Sequence, residues 1–304
     1  MPPPQTDQIS RLLAADPRVA HLAVMIGAAV QPAGDLVLCD VAREAASDVL
    51  AGLRAAGLDG DGASVSISQL DAALSTTARL AEQSAPGSPD DGIVWDLVLF
   101  RAEQDVRTSW TFYAFLCLAT LIAAIAVVLD SPVLVVGAMV VGPEFGPVVA
   151  IAVGLVLGRY RLIGSALSLL AGGFALAITI TAAATLLVAA LGWVDAGSLT
   201  GDKPMTRFIW TPDRWSLVVA LLAGAAGVLS LTAGRTQALV GVFISVTTVP
   251  AAGLLGAAIA LGAWGEVVGA AAQLGINLVG MTLAGVLLLL LQRAFTRIRL
   301  ARER

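Results

Sequence analysis

The chain has 304 residues, of which 58% are hydrophobic and 13% are charged, and its mean hydropathy is +0.87. A soluble domain of this size is far more polar, so the composition predicts an integral membrane protein. The net charge of −4 provides no basic surface for binding nucleic acid.

The first 83 residues predict a small cytoplasmic α+β domain. This part has no apolar run long enough to span a bilayer, and the start MPPPQTDQIS lacks the basic and apolar regions of a cleaved signal peptide. Hydrophobic alternation predicts strands, and helical spacing predicts one helix between them. The order suggests a ferredoxin-like unit. The elements are the strands His21–Val30, Asp35–Val41 and Ala63–Ile67, and the helix Arg43–Ala56.

Residues 84–110 predict a linker and a juxtamembrane helix. Ser84 to Gly92 is rich in Ser, Pro, Gly and Asp, which is typical of a linker. Ile93 to Arg107 mixes aromatic and acidic residues, as does a helix at the membrane surface.

The transmembrane part covers residues 111–292, and a basic cytoplasmic tail follows at 293–304. The apolar runs predict about six spans of roughly 20 residues. They are Phe112–Leu129, Pro132–Leu157, Leu162–Leu191, Leu217–Leu231, Ala238–Leu261 and Val267–Leu291.

The arginines predict the orientation of these spans. If six spans alternate, most arginines fall on one side of the membrane, which the positive-inside rule makes the cytoplasmic side. Both termini and the turn Arg159–Arg161 are then cytoplasmic, and the segment Gly192–Arg214, with Lys203 and Arg207, is external. Tryptophans near the predicted boundaries fit interfacial aromatic belts.

The second and fifth spans share an unusual feature: each is interrupted near its middle by glycine, proline and polar residues. The interruptions are Gly142–Pro147 and Thr247–Pro250. Three spans followed by three more must insert the second copy upside down, so interrupted helices in corresponding positions indicate an inverted repeat around a solute pathway. Gly158 and Gly262 correspond at one constant offset, whereas Pro147 falls one residue from Pro250.

Glu144 is the carboxylate deepest within a predicted span, and it is the sharpest candidate for function. An ionisable group at that depth is costly unless it faces protein or water. Two interpretations stay open. Glu144 lines a pathway, or it stabilises the positive end of a half-helix that restarts at Pro143 or Pro147.

The remaining candidate site residues surround the two interruptions. Thr247 or Thr248 can cap the second half-helix, and Pro250 removes a backbone donor so that carbonyl groups are freed, or it only kinks the helix. Asn277 is the most polar residue of the last span, and a hydrogen bond between helices is its favoured role over lining a pathway. The candidate solute-binding residues are Gly142, Pro143, Glu144, Gly146, Thr247, Thr248, Pro250 and Asn277.

Several kinds of chemistry have no support in the sequence. His21 lies in a strand pattern, and Cys39 and Cys117 lie in different parts of the chain, so the spacing of metal ligands is absent. Glycines such as Gly154 and Gly158 lie inside apolar segments and not in a phosphate-binding loop. We therefore expect no metal, no cofactor and no enzyme activity.

A set of short motifs resembles the domain of unknown function 389 family of prokaryotic membrane proteins. The motifs are Asp130-Ser131-Pro132, Val136-Gly137-Ala138-Met139, Gly142-Pro143, Gly146-Pro147 and Arg159-Tyr160-Arg161. The N-terminal strand Gly34-Asp35-Leu36-Val37 is also similar to the family. This chain departs from the family pattern at Asp130, where the family usually has Asn, and at Glu144, where many members are apolar. The resemblance implies a multi-span bundle in a prokaryotic plasma membrane with a soluble N-terminal domain, and it implies no substrate.

The sequence leaves two classes of function. The first is a transporter or channel for a small solute or ion, with a site at the two interrupted helices. Two half-helix N-termini favour an anion, whereas Glu144 favours a cation or a proton, so the sign of the charge is open. The second is a membrane-anchored sensor or scaffold whose N-terminal domain binds a ligand or partner. Abundant small residues, among them Gly142, Gly146, Gly154 and Gly158, predict close packing in the lipid and a homo-oligomer, most simply a dimer.

Overall fold

A computed structural model of the chain describes residues 3–58, 63–70, 73–85, 87–88, 92–234 and 246–302. These residues divide into two compact units, Met1–Val98 and Leu99–Arg304. The first unit contains an α+β arrangement, with two of the three predicted strands, and the second contains the apolar helices.

The first unit has three helices and one antiparallel hairpin in its described part. Its elements are α1 (Pro3–Ala14), β1 (Val19–Val30), β2 (Ala33–Val41), a 3₁₀ turn (Arg43–Ala45), α2 (Ala46–Ala55) and α3 (Thr76–Ser84). Ile9 and Leu13 of α1 and Val49 and Leu53 of α2 are spaced four apart, so each pair lies on one helix face, and together they form the buried core of the unit.

The prediction of a third strand at Ala63–Ile67 is wrong. The residues from 63 to 70 belong to neither a helix nor a strand, and Val65 and Ile67 are 48% and 44% exposed. Their alternation with serine has the period of a strand, but a strand forms only where a neighbouring strand accepts its backbone hydrogen bonds. The described sheet therefore has two strands, β1 and β2.

The second unit contains four helices that are long and apolar enough to cross a membrane. They are α5 (Trp110–Val128), α8 (Tyr160–Ala190), α10 (Arg214–Ala233) and the apolar part of α12 (Trp264–Arg302). Each contains one of the spans predicted from the sequence. Two shorter helices lie outside these spans, α4 (Trp95–Asp105) and α9 (Gly197–Thr200).

The second predicted span is broken, as its sequence indicates. It forms α6 (Pro132–Val141) and α7 (Phe145–Leu157), which are bent by 53° relative to each other. Gly142 is extended with φ −66° and ψ 130°, and Pro143 has no backbone N–H to continue the helix. The bent pair brings the number of possible spans in the described residues to five.

The fifth predicted span is described only in its second half, because residues 235–245 lie outside the described residues. That half is α11 (Thr248–Leu261), and Thr247 before it has a non-helical backbone. A helix thus begins at the predicted interruption.

The two short helices α7 and α11 are wrapped by the longer ones. Helix α7 packs against α8 and α12, and α11 packs against α5, α8 and α12. Most of their residues are buried, including Val149, Val153, Leu254 and Ala258. Helices this short cannot span a bilayer by themselves, and their N-terminal ends, at Glu144 and Thr248, are buried within the protein.

Candidate functional site

The first residues of α7 and α11 meet in the interior of the second unit. Glu144 occupies the N-cap position of α7, and Thr248 is the first residue of α11. The Thr248 hydroxyl donates a short hydrogen bond to Oε1 of Glu144. The two interruptions predicted from the sequence are therefore in direct contact.

The Glu144 carboxylate is buried and only half satisfied. The residue is 7% exposed, and its Oε2 has no hydrogen-bond partner among the described residues. The side chain makes no capping hydrogen bond to α7. It reaches α11 instead, although Glu144 lies at the N-cap position, where the positive end of the α7 dipole favours an acid.

Gly142 makes this position of the carboxylate possible. A Cβ atom at Gly142 would lie 2.4 Å from Oε2 of Glu144 and 2.5 Å from Cγ2 of Val249. Real Cβ atoms do not approach so closely. A larger residue at this position would therefore force the Glu144 carboxylate and the Val249 side chain to move from where they lie.

A second polar group lies beside the first and holds the start of α11. Thr247 Oγ1 accepts hydrogen bonds from Asn277 Nδ2 at 2.9 Å and from Gln273 Nε2 at 3.0 Å. All three residues are buried, at 8%, 2% and 3% exposure. Thr247 is the N-cap residue of α11, but its side chain makes no capping bond, because the two amides of α12 engage the hydroxyl. The hydrogen bond between helices predicted for Asn277 is present.

Gln273 was missed as a candidate from the sequence. Its Nε2 also lies 3.4 Å from Asn277 Oδ1, and its Oε1 has no partner among the described residues. The signal available was its spacing, because residues four apart on a helix lie on the same face. Two amides at that spacing in an apolar helix indicate a polar face directed inward.

Comparison with known proteins finds a family match for this region. Residues 139–283 match the family described as "Domain of unknown function (DUF389)". The match covers 145 of the 304 residues. The resemblance noted in the sequence is confirmed, and the match includes every candidate solute-binding residue.

A similar protein has no described function that could be compared with this chain. It is the uncharacterized protein MJ0678 of Methanocaldococcus jannaschii, which is 26% identical over 176 residues, or 57% of this chain and 51% of the relative. The chain thus spans about half the length of that relative. No solved structure matches the chain.

The other predicted site residues lie at helix contacts and at helix ends. A Cβ atom at Gly146 would lie 2.9 Å from Cγ of Asp105, so the carboxylate of α4 packs against the start of α7. Desolvation of its carboxyl group raises the pKa of Asp105, although the residue is exposed overall, and the charge of Arg101 opposes that rise. Pro250 is buried in the first turn of α11, where its missing N–H has no helical partner to lose. Pro143 separates α6 from α7.

Asp130 makes hydrogen bonds that connect two separate turns of the membrane domain. Asp130 follows α5 with φ 48°, a left-handed conformation that Asn and Asp tolerate better than most residues. Its Oδ1 accepts the Thr206 hydroxyl at 2.7 Å, and Oδ2 lies 3.3 Å from the Met205 N–H. Lys203 Nζ donates to the Val128 carbonyl at 2.6 Å. These bonds tie the segment between α9 and α10 to the turn between α5 and α6.

Substitution of Asp130 is expected to separate two contributions to stability: the hydrogen bonds that its side chain accepts and its tolerance of a left-handed backbone. Asp130→Ala loses the acceptor and strains the left-handed turn, which should cost about 2 kcal/mol. Asp130→Asn keeps one acceptor oxygen and tolerates the turn, so we expect less than half that loss. Thermal unfolding of the purified variants measures the difference. Equal losses for Ala and Asn would contradict this role of the backbone conformation.

In the first unit, His21 has partners on both ring nitrogens. Nδ1 lies 2.6 Å from Asp40 Oδ2, and Nε2 lies 2.8 Å from Ser75 Oγ. Ser75 is also the N-cap of α3 and accepts from the Ala78 N–H. The histidine therefore attaches α3 to the hairpin, which fits the structural role predicted for it.

Proposed function

We propose that the protein moves a small solute across the membrane through a site where the two half-helices begin. The observation that carries the proposal is the contact of Glu144 with Thr248, beside the buried group of Thr247, Gln273 and Asn277. Buried polar groups in a membrane domain are costly, and their usual position is along a substrate or ion pathway. Half-helices that begin inside the protein are a recurring architecture of transporters.

A spacing of 104 residues that recurs in the membrane domain supports the proposal. Glu144 and Thr248 are 104 positions apart, and the boundaries of other elements recur at the same spacing. The spacing of 104 residues separates the first residues of α5 and α10, the last residues of α7 and α11, and the first residues of α8 and α12. It also separates the residues that cap α5 and α10, Ser109 and Asp213, and the left-handed pairs Asp130 with Gly234 and Gly158 with Gly262.

The packing between the halves supports a twofold relation between them. A twofold axis makes contacts occur in exchanged pairs, in which each half contributes each partner once. A Cβ atom at Gly256 of α11 would lie 2.9 Å from Cβ of Thr181 in α8, and one at Gly285 of α12 would lie 3.1 Å from Cβ of Ala152 in α7. These two contacts are exchanged at the same spacing of 104. We propose an inverted repeat of six spans whose axis lies in the membrane plane.

The topology and assembly remain part of the proposal. We propose a plasma membrane protein with both termini in the cytoplasm, because the arginines divide unequally between the two sides of six alternating spans. The small residues at helix contacts favour a homo-oligomer, most simply a dimer. Its mass in nanodiscs would distinguish a dimer from a monomer.

Cysteine labelling tests the pathway without knowledge of the solute. In a chain with Cys39 and Cys117 replaced by serine, Thr247→Cys is expected to react with a small membrane-impermeant thiol reagent. Leu254→Cys, which is 0% exposed in an apolar environment, is expected to stay unreactive. Thr200→Cys, exposed in the segment after α8, should react only from outside and so report the topology.

The competing proposal, a sensor or scaffold, predicts a different result. In that case the membrane helices serve packing, and Thr247→Cys and Leu254→Cys should be equally unreactive in every condition. Such a result in folded protein would reject the transport proposal and leave the N-terminal domain as the functional part.

A further inference from the structure

The position of Glu144 within the repeat identifies a role for its carboxylate, and the inference rests on the proposed transport function. In the proposed repeat, Glu144 and Thr248 occupy equivalent positions of the two halves, and these residues, 104 positions apart, are hydrogen-bonded to each other. Equivalent residues that touch must lie at the twofold axis that relates them. The carboxylate therefore lies near this axis. If the two halves exchange conformations during transport, positions on the axis do not move.

The surroundings of Glu144 provide no cation for its charge among the described residues. Helices α5, α6, α7 and α11 contain no charged residue. The other helices packed around the site carry charges near their ends, namely Arg161 of α8, Arg214 of α10, and Glu266 and the arginines from Arg293 onward of α12. Helix α4 adds Asp105, which contacts Gly146, and Arg101 near Asp105.

Oε2 of Glu144, which has no partner among the described residues, suits a proton better than a metal ion. A metal ion requires several oxygen ligands and the space to hold them. Gly142 packs against Oε2 so closely that an added Cβ would lie 2.4 Å from it. In the described part of the chain, no group of three or more His, Cys, Asp or Glu residues could hold a metal. A proton needs only the unpartnered oxygen.

We infer that Glu144 is the proton carrier of the transport cycle. An O–H bond forms at Oε2 when a proton arrives from water on one side, and the carboxylate becomes a neutral acid. The bond breaks when the proton leaves to water on the other side, and the negative charge returns. The Thr248 hydroxyl donates to Oε1 in both states, which keeps the carboxyl group at the axis. One proton therefore moves with each passage of solute.

Infrared difference spectroscopy tests proton binding directly. The full-length protein in lipid is compared between acid and alkaline buffer, with protons as the only ligand. The wild type should show a protonated carboxyl band that disappears as the pH rises and shifts in D₂O. The band should be absent in Glu144→Gln and retained in Asp105→Asn, the control for the other carboxyl group near the interruption.

Two further outcomes keep the inference testable. Glu144→Asp keeps a titrating group, so its band should persist at a shifted frequency even if Glu144→Gln fails to fold. A wild-type spectrum in which no band depends on Glu144 would overturn proton carriage. If Thr247→Cys is nevertheless reactive, the pathway stands and only the proton inference fails. If the band titrates but Thr247→Cys never reacts, the transport proposal fails, and proton carriage fails with it.

Discussion

Replacing Thr248 with valine is expected to destabilise the protein by about 2 kcal/mol. The residue is 0% exposed, and its hydroxyl donates to Oε1 of Glu144. Hydrogen bonds to charged groups contribute roughly 1.5 to 3 kcal/mol, and a buried carboxylate that loses its donor carries the desolvation cost. Valine has nearly the same shape, so the loss is electrostatic and leaves no cavity. Thermal unfolding of protein in one fixed detergent measures it.

Thr185→Val is the matched control for this substitution. Thr185 is also buried, and its hydroxyl donates to the Thr181 carbonyl of the same helix at 2.8 Å. That carbonyl is uncharged, and a neutral hydrogen bond contributes only about 1 kcal/mol, so we expect a smaller loss than at Thr248. A loss at Thr185 as large as the loss at Thr248 would show that any buried hydroxyl has the same effect.

The charge itself is tested by combining Thr248→Val with Glu144→Gln. Glutamine keeps the shape and removes the charge, so the valine substitution should cost less in the glutamine background. A double-mutant cycle isolates this coupling. If the valine substitution costs the same in both backgrounds, the Thr248 hydroxyl does not contribute to stability through the charge of Glu144. Glu144→Gln should also change reconstituted solute flux and its pH dependence, and unchanged flux would remove Glu144 from the mechanism.

The local features of the membrane domain are visible in the sequence, whereas its tertiary contacts are not. Pro143 and Gly142 interrupt a helix through their own backbone chemistry, so the break between α6 and α7 could be predicted. The long apolar runs predicted the four long helices, because a run of about 20 apolar residues is long enough to cross a bilayer as a helix. The bond of Glu144 to Thr248 joins residues 104 apart and arises only when the half-helices pack together.

Competition between partners explains where the sequence reading failed. Thr247 has the residue type and position of a helix cap, but the amides of Gln273 and Asn277 engage its hydroxyl instead. Similarly, Ala63–Ile67 has the period of a strand and lacks a strand neighbour in the described residues. In each case the local sequence favours the predicted feature, but the feature forms only if residues distant in the sequence provide, or leave free, the required hydrogen-bond partners.

Gly224→Ala is expected to destabilise the membrane domain by about 3 kcal/mol, or to prevent its folding. A Cβ atom at Gly224 of α10 would lie 2.4 Å from the Met281 carbonyl oxygen and 2.6 Å from Met281 Cα in α12. Both atoms belong to the backbone, so no change of side-chain rotamer can relieve the overlap, and the helices must separate. Overpacking of a core typically costs 1 to about 3 kcal/mol even where side chains can adjust.

Gly275→Ala on the partner helix α12 separates this packing effect from helix propensity. A Cβ atom at Gly275 would meet nothing within 4 Å, so alanine there should be neutral or more stable by up to about 1 kcal/mol. Thermal unfolding and the yield of folded protein are measured for both variants in the same detergent. Similar behaviour of the two would contradict the close approach of α10 and α12. Opposite signs would show that the glycine at Gly224 is retained for helix contact and not for flexibility, because both positions lie within helices.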